Sequence, residues 1–306
     1  MIAVIDCGTN TFNLLIAKLA SDNSLETIYN GRIPVKLGEG GIDKNELSHA
    51  AFERGINALR SFHSLISTFP VTKTIAMGTA AIRDARNGQE FIDTCKKLTG
   101  INIESIDGNR EAELIWLAAK HCVNPTGRFL VMDIGGGSNE FVIGNEKELM
   151  WKKSFRLGLS RLKETFKLED NPAKESVLSI EEYLKDQMRE LFEACRKFET
   201  HYLIGTAGTF DTYANVFSIE ETGKEFDFTN KTYEFSKDKL ISFCQKFMFL
   251  SYDERNAVAG IPDFRKEFMV YACILTKVVM ENCAIKTSSL SAYALKEGVF
   301  LNAYTK

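Results

Sequence analysis

The same short pattern occurs twice in this chain of 306 residues: an aspartate, a glycine two positions later and a hydroxyl residue three positions after that. It appears in DCGTNT, residues 6–11, and in DIGGGS, residues 133–138. Each copy follows an apolar run and leads into another apolar run, which predicts a strand, a tight turn and a second strand. The repeat therefore predicts two domain-sized halves that each open with the same hairpin.

The composition of these turns indicates phosphate binding. Glycine lets several backbone N–H groups point the same way, and such a nest accepts phosphate oxygens. Aspartates at the strand ends offer the hard oxygen ligands that Mg²⁺ prefers. Either turn alone is equally typical of an ordinary glycine turn with an Asx-type aspartate, and the repetition favours the phosphate site. A third glycine turn, GTAGTFD at 205–211, enters a helix and is another natural anion site.

The rest of the chain alternates strands and helices, which predicts an α/β fold. Helices are expected over 45–67, 87–98, 176–198 and 264–282, and Asn109 is placed to cap the helix of GNREAELIWLAAKHC. The polar segment 218–237 is expected to be a loop. The turn cluster NPTGR at 124–128 is the best boundary, which gives a first lobe over 1–123 and a second over 124–290. The last helix, within 291–306, is expected to pack back on the first lobe.

Composition excludes several classes of function. A net charge of -3 and a pI of about 5.9 argue against sequence-independent nucleic-acid binding. No apolar run approaches a membrane helix in length, and the N-terminus does not resemble a signal peptide. The seven scattered cysteines are typical of reduced thiols, and the four histidines lack zinc-ligand spacing. The sequence predicts a cytoplasmic protein without a membrane or nucleic-acid partner.

Five stretches resemble one known family: AVIDCGTNTFNLLIA, GTAAIRDARN, IDGNREAELIW, VMDIGGGSNEFVIG and FRLGLSRLKETF. The tail LSAYALKEGVF is similar as well. These motifs resemble the exopolyphosphatase and guanosine pentaphosphate phosphohydrolase family, a branch of the actin-like ATPase superfamily. The resemblance spans nearly the whole chain. It implies two actin-like, ribonuclease H-like lobes around a central cleft, without further helical domains.

The resemblance also implies roles for individual residues. Glu111 matches the glutamate proposed to orient or deprotonate the attacking water. Mg²⁺, or another divalent cation such as Mn²⁺, is expected on Asp6, Asp133 and Glu140. Substrate phosphates are expected on the glycine loops and one arginine: Gly8, Thr9, Asn10, Thr11, Arg83, Gly135, Gly136, Gly137, Ser138 and Gly208.

The resemblance leaves the substrate open. The first hypothesis is an exopolyphosphatase that releases orthophosphate from inorganic polyphosphate. The alternative within the same chemistry is hydrolysis of guanosine pentaphosphate to the tetraphosphate. More distant alternatives are an actin-like ATP-binding kinase and a non-catalytic sensor of phosphate compounds. A homodimer is the default expectation for a symmetric oligomer.

Overall fold

The first half of the chain builds a mixed five-stranded sheet. The computed structural model describes residues 1–21 and 24–304. Its first five strands are β1 (Ile2–Cys7), β2 (Thr11–Leu19), β3 (Leu25–Pro34), β4 (Lys73–Gly78) and β5 (Ile103–Ser105), in the spatial order β3-β2-β1-β4-β5. β1, β2 and β3 are antiparallel neighbours, whereas β1, β4 and β5 run parallel. We call this sheet, with helices α1 (His49–Ile66), α2 (Ala80–Asp84) and α3 (Gly88–Thr99), the first lobe.

The second half repeats the arrangement with an added strand. Its strands are β6 (Phe129–Ile134), β7 (Asn139–Gly144), β8 (Leu149–Phe155), β9 (Tyr202–Thr206), β10 (Thr232–Phe235) and β11 (Thr287–Ser291), in the order β10-β11-β9-β6-β7-β8. We call this sheet and its own helices the second lobe. These helices are α5 (Leu159–Phe166), α6 (Lys174–Gln187), α7 (Arg189–Lys197), α8 (Ala207–Thr222), α9 (Lys237–Phe247), α10 (Tyr252–Ala257) and α11 (Asp263–Asn282).

Two helices lie between the lobes. Helices α4 (Gly108–Val123) and α12 (Leu295–Tyr304) pack against each other, and α12 also contacts β1 and β2. α4 packs mainly on β7 and β8 of the second lobe. One hydrophobic core joins both helices to the two sheets and includes Val4 of β1 and Val131 of β6. Helix α4 shares this core with both sheets, so the core does not divide the chain at 123/124. The boundary there remains a prediction.

Several local predictions are wrong in detail. The cap of α4 is Asp107, whose carboxylate accepts from the backbone N–H groups of Asn109 and Arg110, so Asn109 lies inside the helix. The segment 218–237 contains the end of α8 and strand β10. The helix expected over 176–198 is two helices that meet at Met188. The last helix begins at Leu295, because residue 291 still belongs to β11.

None of the helices within 1–21 and 24–304 is long and apolar enough to cross a membrane.

Candidate active site

The two repeated turns have the same backbone geometry. The Gly8 N–H donates to the Thr11 carbonyl at 3.1 Å, and the Gly135 N–H donates to the Ser138 carbonyl at 3.1 Å. A Cβ on Gly8 would lie 2.9 Å from the Thr11 oxygen, and one on Gly135 would lie 2.5 Å from the Ser138 oxygen. Glycine is needed at both positions because no side chain fits inside the turn.

Neighbouring segments bind the carbonyl groups of both turns. The Gly38 N–H donates to Thr9 O, and two further N–H groups donate to Asn10 O. In the second turn the N-terminal N–H groups of α5 donate to the carbonyls of Gly135 and Gly136. These hydrogen bonds occupy the carbonyl oxygens of the turns with protein partners. Turns whose backbone N–H groups remain available in this way can act as anion-binding nests.

The two loops touch across the space between the lobes. A Cβ on Gly136 would lie 2.8 Å from Asn10 Nδ2, and one on Gly137 would lie 2.7 Å from Thr9 Oγ1. The Ser160 hydroxyl, at the start of α5, donates to Asn10 Oδ1 at 2.8 Å. The two glycine turns therefore face each other across the space between the lobes.

A cleft of about 870 Å³ extends from these loops between the lobes. Most of the predicted site residues line it: Asp6, Gly8, Thr9, Asn10, Thr11, Glu111, Asp133, Gly135, Gly136, Gly137, Ser138 and Gly208. Arg83 and Glu140 are not among the lining residues. The geometry brings the three glycine turns and Glu111 into one space.

Asp6 and Asp133 stand at equivalent strand ends. Asn13, the cross-strand partner of Asp6, donates to its Oδ2 at 2.9 Å, and Thr206 donates to Asp133 Oδ2 at 2.6 Å. Burial raises the pKa of each carboxyl to about 6, and the negative charge of Asp133 adds to the rise at Asp6. Buried carboxylates with raised pKa values gain from a nearby cation.

Glu111 lies in the first turn of α4, the helix that Asp107 caps. Its Oε2 accepts a 3.0 Å hydrogen bond from Arg83 Nη1. Burial, followed by the nearby Glu140 carboxylate, raises the pKa of Glu111 well above its ordinary value, and the charge of Arg83 opposes the rise. A buried, hydrogen-bonded carboxyl with a raised pKa has the character of a general base.

Glu140, predicted as a metal ligand, is buried and hydrogen-bonded within the protein. Ser154 donates to its Oε1 at 2.6 Å, and the side chain is almost completely buried. Burial, followed by Asp133, raises the pKa of Glu140 to about 7. Its charge acts on Glu111, and Asp133 acts on it in turn, so the three carboxyls titrate in one electrostatic environment.

Asp6 and Asp133 fit a divalent cation, because both are hard oxygen donors at the mouth of the loops. Within the described part of the chain, no three acidic, histidine or cysteine side chains form a ready-made metal group. Mg²⁺ at phosphate sites is commonly held by one or two carboxylates together with substrate oxygens. The two aspartates match that mode of binding.

The cleft also contains a charged cluster around Lys296 that local sequence patterns did not reveal. Lys296, in α12, pairs with Glu297 at 2.9 Å. Burial lowers the pKa of Lys296, but the nearby carboxylates of Glu297, Asp211 and Asp6 raise it more, so the pKa is raised overall. The signal was available in the tail LSAYALKEGVF, but nothing in the sequence showed that α12 returns to the cleft.

Arg265 belongs to the same cluster and lies against the third glycine turn. A Cβ on Gly208 would fall 1.7 Å from Arg265 Nη2. Burial lowers the pKa of Arg265 to about 10, while Asp211 favours its charged form. Ala207 beside it has a φ of 60°, a left-handed conformation that costs energy in alanine and is found at functional sites.

Two mixed sheets, opposed glycine hairpins and a carboxylate-lined cleft define a phosphate-binding protein of the actin-like superfamily. Residues 15–306 match the model of the Ppx/GppA phosphatase family. The chain belongs to this family and is a phosphoanhydride hydrolase.

Relatives agree with this assignment. The crystal structure of an exopolyphosphatase from Cytophaga hutchinsonii is 35% identical and superposes with a TM-score of 0.93, over 99% of this chain and 98% of that one. A Haemophilus influenzae protein provisionally named an exopolyphosphatase is 26% identical over 97% of this chain and 90% of its own length. A bifunctional 3-dehydroquinate synthase/phosphatase from Fusobacterium nucleatum is 30% identical over 91% of this chain, which spans 43% of that protein.

Proposed function

We propose that this protein is an exopolyphosphatase, which hydrolyses the terminal phosphoanhydride of inorganic polyphosphate and releases orthophosphate. The contact between the two glycine loops beside Glu111 carries the proposal. Two opposed nests grip the terminal phosphate group, and Glu111 lies where a water can reach it. The similarity to the Cytophaga hutchinsonii exopolyphosphatase supports the same substrate.

The reaction follows from these positions. Ionised Glu111 accepts a proton from a water, and the water oxygen attacks the terminal phosphorus. The bond from that phosphorus to the bridging oxygen breaks, and the bridging oxygen remains on the shortened chain. Backbone N–H groups near Gly8 and Gly136, with the hydroxyls of Thr9 and Ser138, stabilise charge on the transferred phosphoryl group.

A divalent cation, Mg²⁺ or Mn²⁺, is part of the proposal. Asp6 and Asp133 would hold it at the mouth of the loops. Such a cation supplies charge neutralisation for the substrate phosphates. Glu140 is assigned an electrostatic role toward Glu111. We assign Arg83 to the carboxylate of Glu111, its observed partner, in place of the phosphate.

Guanosine pentaphosphate is the second candidate substrate, and aromatic residues of the cleft favour it. Phe228, Phe264 and Phe268 are among the lining residues, and the Phe228 ring is exposed. Acidic side chains also outnumber basic ones among the lining residues, which disfavours a long polyanion. Aromatic rings and carboxylates are suited to a nucleobase.

Phosphate release with long polyphosphate, short polyphosphate and guanosine pentaphosphate separates the candidates. Release from polyphosphate that falls by orders of magnitude in Glu111→Gln supports the exopolyphosphatase. Preferential hydrolysis of guanosine pentaphosphate, weakened by Phe228→Ala, supports the second candidate. ATP turnover that depends on an acceptor would indicate a kinase, and binding without release would indicate a sensor. The cytoplasmic location and the homodimer remain predictions.

A further inference from the structure

One aspartate links the second glycine loop to the proposed catalytic glutamate. Asp84, at the end of α2, has a largely buried side chain that contacts three arginines. Its Oδ1 accepts from Arg83 Nε at 3.2 Å, and its Oδ2 accepts from Arg161 Nη2 at 2.7 Å. Arg156 Nε lies 3.3 Å from the same Oδ2. Asp84 belongs to the first lobe, whereas Arg156 and Arg161 belong to the second.

Arg161 joins three separate segments. Its Nε donates to the Gly137 carbonyl at 2.9 Å, its Nη1 donates to the Ile42 carbonyl at 2.9 Å, and its Nη2 reaches Asp84. The rigid guanidinium fork fixes the relative positions of these three acceptors. Arg161 therefore holds the second glycine loop in register with the first lobe.

Arg83 completes the connection. Its Nε contacts Asp84, and its Nη1 donates both to Glu111 at 3.0 Å and to the Ile106 carbonyl at 3.2 Å. Because the guanidinium of Arg83 is planar, the contact of its Nε with Asp84 helps to set the direction in which its Nη1 points toward Glu111. A continuous path runs from Gly137 through Arg161, Asp84 and Arg83 to the Glu111 carboxylate.

We propose that Asp84 is a positioning residue, which holds Arg83 so that Glu111 is aligned only when Arg161 brings the second glycine loop against the first lobe. This inference rests on the proposed role of Glu111. Closure of the two loops around a terminal phosphate and alignment of the base then occur together. An open cleft would leave Glu111 less well oriented, which limits hydrolysis of substrates that fail to close it.

Glu267 provides a matched control. Its carboxylate also bridges the lobes, 3.5 Å from Lys36 of the first lobe and 2.5 Å from Lys163 of the second. None of these three side chains has a hydrogen bond to Glu111 or Arg83 in the described structure. Loss of the Glu267 charge therefore removes a bridge between the lobes without touching the path to Glu111.

The first test is a double-mutant cycle in the phosphate-release assay. Asp84→Asn is expected to lower kcat roughly 10- to 100-fold with KM changed less than about threefold, because misplacement of a catalytic group has effects of this size. In a Glu111→Gln background the same change is expected to lower the residual rate less than about twofold. Equal fold-losses in both backgrounds, or a change confined to KM, would overturn the proposal. Glu267→Gln is expected to keep kcat within about twofold.

A second readout requires no activity, so it remains decisive if the proposed function fails. The carboxyl ¹³C resonance of Glu111, assigned by its loss in Glu111→Gln, is expected to shift in Asp84→Asn and stay unchanged in Glu267→Gln. An unchanged resonance in Asp84→Asn would overturn the proposal. If Asp84→Asn does not fold, Arg161→Lys serves instead, since one ammonium cannot reach all three acceptors of Arg161. A wild type that releases no phosphate from polyphosphate, with the resonance shift present, refutes the proposed exopolyphosphatase and retains the coupling.

Discussion

Gly137 and Ala80 approach each other so closely that a Cβ on Gly137 would lie 2.6 Å from the Ala80 Cβ. These residues belong to different lobes, at the point where the second glycine loop meets the start of α2. The contact leaves no room for a side chain at Gly137, so glycine at this position lets the second glycine turn come close to the first lobe.

Gly137→Ala is expected to keep the lobes apart and to reduce phosphate release roughly 100-fold or more, since the nests would no longer contact the same phosphate group. Circular dichroism should show an intact fold. Gly223→Ala is the control, because in the described part of the chain a Cβ there meets nothing within 4 Å beyond its chain neighbours, and the cost is only that of its φ of 72°. Similar activity losses in both variants would contradict the argument.

Arg83→Met is expected to lower kcat and to move the acid limb of the pH–rate profile to higher pH. Arg83 opposes the rise in the Glu111 pKa, so its loss raises that pKa further and the ionised base appears only at higher pH. The measurement is kcat as a function of pH. Arg86→Met removes a nearby arginine that binds the Lys44 carbonyl, and its profile should match that of the wild type.

Lys296→Met should weaken substrate binding and strengthen cation binding. The lysine is a mostly buried positive charge in a cleft with an excess of carboxylates. Loss of a charge-assisted contact is expected to raise KM roughly 10- to 100-fold, while Mn²⁺ affinity measured by calorimetry should increase. Lys286→Met, an exposed lysine away from the cleft, should change neither quantity. Weaker Mn²⁺ binding in Lys296→Met would be evidence against this assignment.

The free energy of unfolding should fall as pH rises from about 4 to about 7, when a chelator keeps divalent cations away from Asp6 and Asp133. The carboxyls of Asp6 and Asp133 have pKa values of about 6 in the folded protein and lower values when unfolded, so the folded state binds more protons in this range. A rise from 3.8 to about 6 corresponds to about 3 kcal/mol of unfolding free energy per group at most. Urea unfolding of Asp133→Asn should show a weaker pH dependence than the wild type. The same slope in both proteins would contradict this origin.

The sequence predicted the fold class and most of the cleft because both depend on local patterns. An apolar strand, a glycine turn and another apolar strand specify a hairpin without help from the rest of the chain. The repetition of DCGTNT as DIGGGS then indicated that the two hairpins act together. The family model and the similar structures confirm the α/β, actin-like fold.

Long-range contacts explain what the sequence did not reveal. The pairing of Arg83 with Glu111 joins residues from two helices, and local spacing indicates only an arginine near a helix end. Lys296 reaches the cleft only because α12 packs between the sheets. The predicted start of α4 was wrong for a local reason. Asp107 and Asn109 are both residue types that cap helices well, and in the structure Asp107 is the cap.

The position of α12 has a consequence for how the protein is made. A Cβ on Gly298 would lie 1.9 Å from the Leu114 carbonyl oxygen, so α12 and α4 meet backbone to backbone, and the same core includes residues of β1. On a ribosome, the first strand emerges long before this partner helix is translated. The apolar side of β1 is therefore covered only after α12 has been made, and such non-local contacts slow folding and leave the nascent polypeptide open to aggregation. The helix that carries Lys296 into the cleft thus also decides when the core beside β1 can close.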